Sequence, residues 1–105
     1  MNAIHPGALI RRRFVEPMEL TTQAVADAAG VSCASISRIL NEKAAISAEM
    51  SVRLGFVFGV SDDLFANIQC AYDIAVARED IALGAVVCLR REKHFVRKQR
   101  KALSR

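Results

Sequence analysis

The sequence predicts an all-α fold: five short helices, then a C-terminal segment also read as helical. Three observations carry this reading. Apolar residues recur three and four apart along most of the first 78 positions, the spacing of one face of a helix. Hydroxyl residues stand where helices would begin, and Gly30 and Gly59 stand where two of them would end. No stretch of that region reads convincingly as a strand.

Taken in order, the lead Met1–Gly7 ends in His5-Pro6-Gly7, and proline suits a helix mouth because its missing amide proton is not needed there. Ala8–Phe14 is the first predicted helix, burying Leu9, Ile10 and Phe14 and leaving Arg11, Arg12 and Arg13 mostly outside. That basic triplet is either a solvated face or one that reaches a phosphate. Glu16-Pro17 breaks the helix. Thr21 or Thr22 then caps the second helix, Leu20 staples its entry, and Val25, Ala28 and Ala29 form its apolar face. Ala26 is small enough for another helix to cross closely.

Gly30 ends this helix and Val31 plugs the turn. Ser32 caps a third helix whose apolar stripe is Ile36, Ile39 and Leu40, and Asn41-Glu42-Lys43 closes it. A fourth helix opens at Ile46-Ser47, with Ser47 as cap and Glu49 favourable to the dipole; Met50, Leu54, Val57 and Phe58 are its core stripe. Ser61-Asp62-Asp63 opens a fifth, with a cap and two acids in its first turn, followed by Leu64, Phe65, Ile68, Tyr72, Ala75 and Val76 at helical spacing.

Ile81–Leu89, IALGAVVCL, permits either a buried strand or a helix. Helix continuation is the preferred reading, since Glu79-Asp80 can restart a helix and no second strand exists to pair with. An apolar run on so small a body needs a cover, and a second subunit is a natural one. The chain thus divides into residues 1–78, a helical body, and 79–105, an extension.

Composition bounds the function. At 105 residues, 52% of them hydrophobic, the chain can build one core without disulfides or metal. Cys33, Cys70 and Cys88 are odd in number and widely spaced, which fits a reducing cytoplasm better than a disulfide framework or a zinc site. No apolar run is long enough to span a membrane, and the first ten residues lack the apolar segment of a signal peptide. Charge is uneven: residues 90–105 hold eight basic side chains against one acid, while residues 1–89 hold seven against ten. The basic tail reads as a phosphate-contacting arm, a solubilising tail, or a contact for a partner or RNA.

Neither His5 nor His94 belongs to a catalytic motif, and no glycine-rich phosphate loop is present, so no enzyme, metal or cofactor is expected. Thr22–Leu40 is instead two short helices joined by a tight glycine turn, a helix-turn-helix, with an ordinary helical hairpin as the alternative. The outer face of its second helix carries Ser32, Cys33, Ser35, Ser37 and Arg38, which can be offered to base edges in the major groove of double-stranded DNA. Arg38, the one long donor, suits a guanine. Thr22 and Gln23 offer main-chain amides to phosphate, and Lys43 a further cation. Cys33 is a small space-filler in preference to a redox sensor.

These motifs also carry a resemblance. His5-Pro6-Gly7, Phe14 to Pro17, Leu20 to Gly30, Ile46-Ser47-Ala48, Arg53-Leu54, Phe58-Gly59, Asn67-Ile68-Gln69 and Tyr72-Asp73 fall in the order and spacing of the HigA and virulence-associated protein I family. The resemblance covers residues 4–78. It implies a phage-repressor-like helix-turn-helix domain, a homodimer on a palindromic operator, and repression of its own operon. It also implies a RelE-like, mRNA-cleaving HigB toxin as a partner that the protein would neutralise. The alternative is a stand-alone regulator of the same fold with no toxin. The family often has glycine where this chain has Glu42, so a left-handed backbone there would be strained.

Overall fold

The computed structural model of the chain describes residues 4–81 and 83–90. Helix α1 (Pro6–Ile10) runs directly into a π-helical turn over Arg11–Val15. Helices α2 (Thr22–Ala29), α3 (Cys33–Leu40), α4 (Ala48–Phe58) and α5 (Leu64–Asp80) follow, and no strand occurs among the described residues. The all-α fold class therefore stands.

Most helix ends obey local chemistry. Thr21, Ser32 and Ser47 each accept, through the side-chain hydroxyl, the amide three residues on, and so satisfy a donor that the first turn leaves unpaired. Gly30 and Gly59 close α2 and α4 with φ values of 71° and 68°, a conformation that costs other residues Cβ strain.

The first helix starts earlier than its apolar pattern indicated, at Pro6 rather than Ala8. The reason is His5, whose Nδ1 accepts the Gly7 amide at 2.9 Å and caps the helix. The buried His5 ring lies edge-on to Tyr72 of α5, with centroids 5.0 Å apart. Gly7 then faces α3 so closely that a Cβ would stand 1.8 Å from the Ile39 carbonyl oxygen. The three residues His5-Pro6-Gly7 are thus a cap, a preset first turn and a helix contact.

The core gathers on Phe65, fully buried with Ile10, Val25, Ile36 and Leu54. The Phe14 and Phe58 rings meet Phe65 edge-on at 5.9 Å and 6.3 Å and tilt against each other at 4.7 Å. Leu9, Leu20, Val31, Met50, Val57, Leu64 and Ile68 pack around this centre, as their spacing predicted.

Polar ties hold α4, α5 and the loop before α4 in place. The buried Ser51 hydroxyl donates to the Asp62 carbonyl at 2.8 Å and accepts the Ala66 amide at 2.9 Å. Buried Gln69 accepts the Ile46 amide at 2.8 Å and donates to Asp73 at 3.0 Å. Both pin backbone groups that would otherwise be buried without a partner.

Several expectations need correction. On α2 the buried stripe is Val25, Ala26 and Ala29; Ala28 is exposed, because Ala26 is the residue that turns toward the core. Helix α5 starts at Leu64, so Ser61, Asp62 and Asp63 precede its first turn. Asp63 makes no side-chain cap; its carboxylate accepts from the Ser61 hydroxyl, which lowers its pKa. Val76 is exposed, since this part of α5 extends past the core.

The helix also does not continue through Ile81–Leu89. It ends at Asp80, Ile81 is extended, and only Leu83–Ala85 makes a single 3-10 turn. A nine-residue segment holding Gly84 and two adjacent valines has too few helical bonds to offset nucleation. Val86, Val87 and Leu89 are exposed. Beyond Arg90, the basic tail lies outside the described residues.

The Gly7 contact yields a direct prediction. Gly7→Ala should destabilise the fold by about 2–3 kcal/mol, because α1 must move off α3 to admit the methyl group. Urea denaturation measures this; a loss below about 0.5 kcal/mol, the ordinary surface range, contradicts the contact.

Candidate nucleic-acid interface

The two helices of the motif are held from behind by arginines of neighbouring helices. Arg11, at the start of the π turn, is half-buried and donates through Nη1 to the Leu40 carbonyl at the end of α3. Its guanidinium also lies 3.9 Å from the Glu42 carboxylate and 4.0 Å from that of Glu16. Arg53 of α4 donates through Nη1 to the Ala29 carbonyl at 2.8 Å and through Nε to Glu49 at 3.0 Å. Each arginine thus satisfies a carbonyl at a helix end, where the backbone has no acceptor-side partner of its own and carries partial negative charge. Sequence reading missed both roles, since it placed Arg11 outside with Arg12 and Arg13. Those two are exposed, as expected.

The outer face is set by this seating. Ile36, Ile39 and Leu40 are buried, so Ser32 and Arg38 are exposed and Ser35 and Ser37 half-buried. Cys33, placed on the outer face by its position, is half-buried and packs against the core, in keeping with the space-filling reading.

The hydroxyls of this face are largely engaged with one another. Ser32 Oγ accepts the Ser35 amide and lies 2.8 Å from Ser35 Oγ. Asn41 Nδ2 donates to the Ser37 carbonyl at 2.9 Å and to Ser37 Oγ at 3.3 Å. Arg38 and Lys43, by contrast, have no side-chain partner among the described residues, so two cations stand ready for an anion or an acceptor edge.

At the start of α2, Thr22 is half-buried and Gln23 exposed. The Gln23 amide side chain donates to Asp27 at 2.7 Å, one turn on. Its side chain is therefore occupied, but the main-chain amides of Thr22 and Gln23 belong to the first turn and have no intrahelical acceptor.

A notch of about 230 Å³ opens beside this face, lined by Ser35, Arg38, Ile39, Ala44, Ala45, Ser47 and Met50. It lies between α3 and the entry to α4. No group of three or more His, Cys, Asp or Glu able to hold a metal occurs among the described residues. No helix among them is long and apolar enough to cross a membrane.

Glu42 ends α3 with φ 61°, in the left-handed conformation that the comparison with glycine anticipated. The Lys43 amide bonds the Arg38 carbonyl at 2.8 Å and the Glu42 amide the Ile39 carbonyl at 3.0 Å, a Schellman closure. Its carboxylate also sits at the unfavourable end of the helix dipole, with Arg11 as the offsetting charge. Glu42→Gly should raise stability by about 1 kcal/mol by relieving the Cβ strain. Denaturant titration measures it; a clear loss instead would mean that the Arg11 contact outweighs the strain.

No family model matches the chain. It is 39% identical over 80 residues to virulence-associated protein I of Dichelobacter nodosus, covering 76% of this chain and 74% of that one. The solved Pseudomonas aeruginosa antitoxin HigA with the higBA promoter superimposes with a TM-score of 0.74 at 33% identity, over 87% of this chain and 97% of that one. A P. aeruginosa protein solved in complex with its 18-bp operator gives a TM-score of 0.77 at 32% identity, over 82% and 92%.

Proposed function

The chain belongs to the HigA and virulence-associated protein I family of helix-turn-helix proteins, and from that premise we propose that it is an operator-binding repressor and an antitoxin. It binds double-stranded DNA through α2 and α3, represses its own operon, and neutralises an mRNA-cleaving HigB toxin of the RelE-like type. The observation that carries this reading is the outer side of the motif, where Arg38 on α3 and Lys43 just past its end stand unengaged while Arg11 clamps α3 and Arg53 clamps α2 from behind. The solved relatives bound to operator or promoter DNA support it.

In this reading residues 1–78 are the DNA-binding body and 79–105 the extension. The main-chain amides of Thr22 and Gln23 and the ammonium of Lys43 meet phosphates and set the register. Arg38 reads a guanine through its two major-groove acceptors. Ser32, Ser35 and Ser37 lie along the same groove and contribute less, because their hydroxyls already have partners. Cys33 supports the face from the core side. The protein acts as a homodimer that places two α3 helices about 34 Å apart, one turn of DNA, on a palindrome. Ile81, Val86, Val87 and Leu89, exposed at 52%, 58%, 75% and 91%, are the surface a second subunit would cover.

Arg38→Ala should relax base preference at one position per half-site, at a cost of about 1–3 kcal/mol in discrimination. Selection of binding sites from a random pool, wild type against variant, reads this out. An unchanged preference removes Arg38 from base reading. The toxin arm has its own readout: co-expression with the product of an adjoining short reading frame encoding a basic RelE-like protein should yield a stable complex. A neighbour of that kind that fails to co-purify would leave a stand-alone repressor.

A further inference from the structure

Of the notch beside Arg38, the reading above uses Arg38 and Ser35 and leaves the apolar lining without a role. Its walls come from both sides of the motif's exit: Ser35, Arg38 and Ile39 from α3, Ala44 and Ala45 from the loop, Ser47 and Met50 from the start of α4. Its lining is mixed by position. Ile39 is buried, while Ala44 and Met50 are half-buried and pack against the core. Ile39, Ala44 and Met50 therefore form the floor, Arg38, Ala45 and Ser47 are exposed at the rim, and Ser35 is half-buried on the α3 wall. Ser35 and Arg38 belong to the outer face of α3, so the opening is continuous with the surface that would meet the groove.

We propose that this notch receives the 5-methyl edge of a thymine adjacent to the guanine held by Arg38, so that each half-site is read as a two-base element. The inference rests on the DNA-binding reading. The chemistry follows from what each base pair shows in the major groove. Thymine is the base that presents a methyl group there, and its discrimination requires an apolar surface and not a donor. The serine hydroxyls are poor candidates for reading that position, since they are bonded to neighbours. Arg38, free of partners among the described residues, supplies the polar half of the element, and the Ile39–Ala44–Met50 floor supplies the apolar half.

The test uses the full-length chain and the duplex obtained by site selection with the wild-type protein. Each thymine is replaced in turn by deoxyuridine, which removes the methyl group and leaves base pairing intact. One position per half-site should lose about fourfold in affinity, the worth of one buried CH₂ group. Ala45→Leu, at an exposed loop position, fills the notch without disturbing the core. In that variant the thymine-to-deoxyuridine loss should vanish while the guanine preference due to Arg38 persists. If no deoxyuridine substitution lowers affinity although Arg38→Ala still relaxes a position, the notch proposal is overturned and DNA reading survives. If Ala45→Leu leaves the methyl dependence unchanged, the methyl is read elsewhere and the proposal again fails. If the wild-type protein selects no sequence, the parent reading falls with it.

Discussion

The seat of α3 on α1 is the contact on which the rest depends. Gly7 lets the Ile39 carbonyl approach within a distance that any side chain would forbid. His5 caps α1 so that the contact is made by a formed helix turn, and Tyr72 holds the His5 ring from α5. Arg11, one turn further, takes the Leu40 carbonyl. With the back of α3 fixed in this way, Ile36, Ile39 and Leu40 are buried, and the direction of every outward side chain is determined. Arg53 does the same for α2 by bonding Ala29. A helix of eight residues has little stability of its own, so these tertiary clamps, and not helix propensity, hold the reading element rigid.

That rigidity has a cost in readout. The short hydroxyls that line α3 are drawn into caps and local bonds, Ser32 with Ser35 and Ser37 with Asn41. What remains for a partner is one guanidinium, one ammonium, the amides of the α2 entry and an apolar notch. Affinity in such an arrangement must lean on phosphate contacts and on doubling the site. Glu42, strained at the exit of α3, has its carboxylate beside the Arg11 guanidinium that clamps the end of the helix.

Features governed by local chemistry were legible in the sequence. Ser32, Ser47, Gly30 and Gly59 act within a few residues of themselves, and the apolar stripes of α3 and α4 follow from period alone. Features that depend on distant partners were not. His5 extends α1 only because its ring is supported by Tyr72, and Arg11 is structural only because the end of α3 lies beside it. Ala26 and Ala28 are equal by composition, and the crossing helix decides between them. Cys33 looked outward by position yet packs inward because the turn brings the core beneath it. Helix α5 stops at Asp80, short of Ile81–Leu89, where Gly84 and the adjacent valines weaken a helix that the apolar pattern alone permits. On the candidate surface, Arg38 and Lys43 could be named from sequence, whereas the notch formed by α3 and the entry to α4 could not.

The central claim is that a clamped α3 presents Arg38 to a guanine in the major groove of a two-fold operator. Methylation interference on the DNA preceding the chain's own gene tests this most directly, because N7 of guanine lies in that groove and is one of the acceptors an arginine would use. The account predicts two guanines, one per half-site and about one helical turn apart, whose N7 methylation abolishes binding by the wild type and has no further effect on Arg38→Ala. Binding that is insensitive to N7 methylation everywhere in the footprint would contradict it.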